Sequence, residues 1–93
     1  MKASWISCND AEGCCLPSGV VSLFRGNHGW RLCITRDDYS LWRLSSNIVN
    51  LHACSDDIIV VHTASGNMYF FTCVENTAAE VIEKFNKIVG LTW

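Results

Sequence analysis

A chain of 93 residues with a formal net charge of −2 has the length of one domain and no global attraction to nucleic acid or to an anionic membrane. Its residues are 49% hydrophobic and only 17% charged, which excludes disorder and allows a real core despite the small size. The six cysteines fall short of the density of a disulfide scaffold. No apolar run approaches a membrane span, and Met1–Asp10 lacks the continuous apolar stretch of a signal peptide. The expectation is a cytoplasmic single domain, residues 1–93, with its cysteines as thiols.

Along the chain, Ala3–Ser7 reads as a short strand. Cys8–Gly19 holds Asn9, Asp10, Gly13 and Pro17 and reads as a loop that carries Cys8, Cys14 and Cys15. Val20–Arg25 is the next strand, ended by the turn residues Gly26-Asn27-His28-Gly29. Trp30–Arg36 and Tyr39–Leu44 form a hairpin around Asp37-Asp38, which pairs Ile34 with Leu41 and Leu32 with Arg43. That register puts Trp30, Leu32, Ile34 and Leu41 on one face. Arg31, Cys33, Thr35, Ser40 and Trp42 then share the more polar face.

Asn47–Ala53 is a further short strand, followed by a turn at Asp56-Asp57. Ile58–Thr63 and Met68–Val74 make a second hairpin around Ala64–Asn67, apolar on both faces and so expected to be the most buried part of the sheet. Its register stays open, since Ser65-Gly66 and Gly66-Asn67 both suit a turn. Thr77-Ala78-Ala79-Glu80 fits a capping box. Ala78, Val81, Ile82, Phe85, Ile88 and Val89 then recur at helical spacing, and Gly90 supplies the stop. Glu80 with Lys84 and Glu83 with Lys87 stand four apart with the acid first, the favourable order.

These elements predict an α+β fold, mostly β: about seven antiparallel strands as a sheet or partly open barrel, capped by one C-terminal amphipathic helix. The order resembles the pleckstrin-homology-like (PH-like) fold. Ile58–Thr63, Ser65–Phe71 and the Thr77–Val89 helix correspond to that fold's last strands and capping helix. The resemblance implies a binding role. Two departures weigh against a lipid ligand and membrane partner: Arg25, Arg31 and Arg36 are too widely spaced for the family's basic cluster, and Phe85 stands where its helix has tryptophan.

Four kinds of site compete. Arg25, Trp30, Arg31, Arg36, Tyr39, Trp42 and Arg43 form a band suited to stacking on bases or to a protein hot spot, but Arg31 and Arg43 face apart and two aspartates interrupt it. His52, Cys54 and His62 offer at most part of a metal site, without zinc-knuckle spacing. A Cys–His pair is conceivable, yet no catalytic motif appears and the aspartate pairs suit turns. Trp5 and Trp42 have weak claims to the core and suit a partner surface.

The favoured reading is a non-catalytic protein-binding module, an adaptor or small inhibitor, that docks through Trp5, Arg31, Trp42 and Arg43 without a cofactor. Phe70, Val60, Ile82 and Phe85 are expected in the core. Nucleic acid and membrane are disfavoured partners, and a homodimer through an edge strand stays open. Two alternatives remain: a phage- or plasmid-encoded inhibitor of a host defence complex (anti-CRISPR-like), and a small metal- or thiol-dependent enzyme centred on His52, Cys54 and His62.

Overall fold

A computed structural model describes residues 2–8, 15, 16 and 18–89, with side chains for Leu16 and residues 18–89. The fold is mostly β with one C-terminal helix, α1 (Ala78–Val89). Five strands, not seven, make its antiparallel meander: β3 (Gly19–Arg25), β4 (Trp30–Thr35), β5 (Leu41–Ala53), β6 (Ile58–Thr63) and β7 (Met68–Cys73). The difference arises chiefly in β5. Tyr39–Leu44 and Asn47–Ala53, expected as two strands, are continuous through Ser45 and Ser46.

A strand of 13 residues would extend about 43 Å, yet the longest dimension of the molecule is 30 Å. Register shifts reconcile the two lengths: β5 slips against β4 between Arg31 and Cys33 and between Ile34 and Thr35, and against β6 between Ile48 and Asn50. Irregularities of this kind bend and twist a strand. At the first of them Ser45 is buried, and its Oγ replaces the missing ladder partner. It accepts the Leu32 N–H at 2.8 Å and donates to the Ser46 carbonyl at 2.7 Å.

The shifts also correct the expected hairpin register. Ile34 pairs with Arg43 and Thr35 with Leu41, rather than Ile34 with Leu41. Leu41 is consequently exposed, whereas Leu32 and Ile34 are fully buried. The second hairpin is resolved as His62 opposite Met68, closed by Thr63–Asn67 with Gly66 at φ 91°, where only glycine is unstrained.

The core gathers Val21, Leu32, Ile34, Ile59, Val61, Tyr69 and Phe71 from the sheet with Ala78, Val81 and Phe85 from α1. Phe85 and Val60 are buried as expected, while Phe70 and Ile82 are half-buried. The Thr77 Oγ1 accepts the Glu80 N–H at 3.3 Å, the expected N-cap, and Glu83–Lys87 closes at 3.4 Å. Ile88, placed on the apolar stripe, is exposed instead. Gly90 lies outside the described residues.

The Asp56-Asp57 turn ties sheet to helix: the Asp57 carbonyl accepts from Cys73 N and the Asp56 carbonyl from Ala78 N. α1 is thereby seated on β5 and β7. Outside the meander, β1 (Lys2–Cys8) runs antiparallel beside β7 and meets β3 only at Lys2–Val20 and Ala3–Gly19. The two-residue β2 (Cys15–Leu16), within the expected loop, pairs with β1.

Candidate functional site

Of the expected contact residues, the structure brings Trp42 and Arg43 together and places Arg31 elsewhere on the sheet. Trp42, expected on the polar face, is half-buried and packs against the core, because the register shift at Ile34/Thr35 changes the inward set along β5. The Arg43 guanidinium lies over the Trp42 ring, 5.3 Å from its centroid. Arg36 is spent on its own turn, where it donates to Ser40 Oγ at 3.3 Å and the Leu41 carbonyl at 3.1 Å. Arg31 stands on β4 between Phe24 and Asn47. The side chains of Trp5, Cys8 and Cys15, and all of Cys14, lie outside the described residues.

His52 and His62, on adjacent strands, stack with ring centroids 5.4 Å apart. Cys54 is exposed in the turn beyond β5, with its N–H given to the Ile58 carbonyl. Among the described residues no three histidine, cysteine or carboxylate side chains converge in a way that could hold a metal ion. The metal candidates named from sequence therefore reduce to an imidazole pair.

The thiol and carboxylate environments follow local packing. Burial pushes the Cys73 thiol above its ordinary range, and the Asp57 charge adds to the shift. Such a thiol is the reverse of an activated nucleophile. The Ser40 hydroxyl and N–H, both bonded to Asp38, hold that carboxyl below its usual range, with the Arg36 charge assisting. Ser18 donates to Asp37. Both aspartates thus serve their turn, in which Tyr39 adopts φ 69°.

The feature that sequence reasoning missed lies along β3. Gly26 N donates to the Gly29 carbonyl, so the bonded pairs with β4 are Phe24–Arg31, Ser22–Cys33 and Val20–Thr35. The amides and carbonyls of Val21, Leu23 and Arg25 consequently point to the opposite edge. Beyond Val20 no strand covers that edge among the described residues. A groove of about 470 Å³ runs between it and α1, lined by Val21, Leu23, Val81, Phe85 and Ile88, with Lys84 and Glu75 also in its wall. Ile88 in its wall is 57% exposed.

A sequence signal for the groove existed only in part. The apolar stripe on α1 is wider than one contact face needs, but which strand it leaves uncovered depends on where the helix sits. No known protein family, curated protein or solved structure matches this chain.

Proposed function

We propose that the chain is a non-catalytic protein-binding module that takes an extended segment of a partner protein along β3. The observation that carries this reading is the β3 edge beside the groove, which no strand among the described residues covers beyond Val20. Backbone groups at Val21, Leu23 and Arg25 are aimed outward, ready to extend the antiparallel sheet by one strand. Main-chain bonds would supply affinity, and alternate apolar side chains of the partner would enter between β3 and α1. Within this reading the strands and helix form a PH-like, partly open barrel, and an inhibitor of a macromolecular complex is one role such docking serves.

Selection from a display library of extended peptides tests the proposal. Enriched sequences should alternate apolar residues, slow amide exchange at Val21, Leu23 and Arg25, and bind about tenfold more weakly to Ile88→Lys. Failure to enrich any peptide, or equal binding to Ile88→Lys, overturns it. A second copy is the competing occupant, since antiparallel edge pairing is self-complementary. Concentration-dependent dimerisation that Ile88→Lys abolishes would replace the peptide by a homodimer.

A further inference from the structure

The groove between β3 and α1 carries charge as well as apolar surface. Its α1 wall is the stripe Val81, Lys84, Phe85 and Ile88, whose three- and four-residue spacing puts them on one helix face. Lys84 is the exception to the apolar pattern, a cation on the groove side of the helix. Glu75, in the link between β7 and α1, lines the same groove. Resting on the β3 docking reading, we propose that the partner segment places an acidic side chain against Lys84 and a basic one against Glu75, alongside the apolar residues that enter the groove.

Neither charge is met within the described residues. Glu80, four residues before Lys84 and expected to pair with it, does not close on it; the ion pair that α1 forms is Glu83–Lys87 at 3.4 Å. Lys84 and Glu75 also share the groove without forming an ion pair with each other. Both residues are exposed, so water solvates them while the groove is open. A strand laid along β3 removes part of that water. A neutral segment leaves the ammonium and the carboxylate poorer by their lost hydration, whereas opposite charges restore what is removed.

Distance divides the two roles. Lys84 stands six residues beyond Ala78, about 9 Å along the helix axis, and Glu75 precedes the helix. An extended segment advances about 3.3 Å per residue, so different residues of it meet the two charges. Charge also separates the candidate occupants. β3 itself carries Arg25 and no carboxylate, so the β3 strand of a second copy has no acid to offer Lys84. The pattern fits a partner of different sequence. Pairs between exposed charges are individually weak, so these two set which segment binds more than how tightly.

A display library of extended peptides tests this, its alternate positions drawn from Leu, Val, Glu and Lys with Ser or Thr between them. Selection against the wild-type chain is expected to enrich peptides with a Glu and a Lys at fixed places, and their binding should weaken as salt rises. Lys84→Glu should exchange the enriched Glu for Lys, and Glu75→Lys should exchange the enriched Lys for Glu. Each reversal should swing the preference about tenfold, as attraction becomes repulsion. Amide spectra unchanged away from the substitution show that both variants are folded. Enriched peptides that bind both charge-reversed variants as well as the wild type overturn the charge assignment; weakening of the same peptides by Ile88→Lys then shows that docking along β3 stands without it. If no peptide is enriched at all, the docking reading falls and this inference with it.

Discussion

The two hairpins of the meander differ in what they leave unsatisfied. In β6–β7 the backbone is paired on both sides, by β5 and by β1, and Ile59, Val60, Val61, Tyr69 and Phe71 are nearly or wholly buried. In β3–β4 one face carries the core residues Val21, Leu32 and Ile34, while the other presents Ser22, Phe24, Arg31 and Cys33. Among the described residues its outer edge lacks a strand beyond Val20, and the buried Arg31 Nε near its turn lacks an acceptor. Unused hydrogen-bonding and apolar capacity marks the region where a second molecule gains most, which is why the docking proposal falls on this hairpin.

The contrast can be broken by substitution. Phe71→Ala should cost about 3–5 kcal/mol, because a fully buried aromatic leaves a cavity, whereas Phe24→Ala should stay within about 0.5 kcal/mol. Urea unfolding of both variants measures the difference; comparable losses would erase the distinction between the hairpins. Ser45→Ala should cost about 1–3 kcal/mol, since the buried Leu32 N–H loses its acceptor, with Ser46→Ala nearly neutral as the exposed-pair control. Thr77→Ala should remove about 1 kcal/mol by uncapping α1, and Thr77→Ser should restore most of it.

Two smaller effects are pH-dependent. The raised Cys73 thiol means that the folded state holds its proton more tightly, so its contribution is complete below the ordinary thiol range, pH ~8.5, and is lost as pH rises from there through the higher folded value. Iodoacetamide at mildly alkaline pH should label exposed Cys54 well before Cys73, with mass spectrometry reading the order. Asp38 has the opposite sign: its depressed value contributes stability above about pH 4 that fades on further acidification. Asp38→Asn should flatten that acid limb slightly, as fluorescence-monitored melts between pH 2 and 5 would show.

The legible parts of the fold are those written locally. Thr77, Glu80 and the stripe from Ala78 to Val89 specify a capped amphipathic helix within a dozen residues, and Gly26–Gly29 and Gly66 mark turns through backbone freedom. Strand β5 was not legible in this way. Whether Ser45 interrupts a strand or bridges a register shift depends on the Leu32 N–H thirteen residues earlier, and no local pattern contains that partner. Trp42 was misplaced for the same reason, since the shift decides which β5 side chains turn inward. Arg31 was named from sequence as part of an arginine–aromatic band, whereas the fold sets it on β4 between Phe24 and Asn47, a placement that only the strand registers define.

The amino-acid order alone therefore determined the mostly-β class, the single helix and its cap, because periodicity, capping and turn chemistry act over a few neighbouring residues. Only the tertiary structure decided which edge of β3 is left without a strand among the described residues, where α1 left a groove and that the Arg31 Nε is buried without an acceptor there. Those properties are differences between what packing satisfies and what it leaves over, and such a remainder exists only once the whole chain has been assembled.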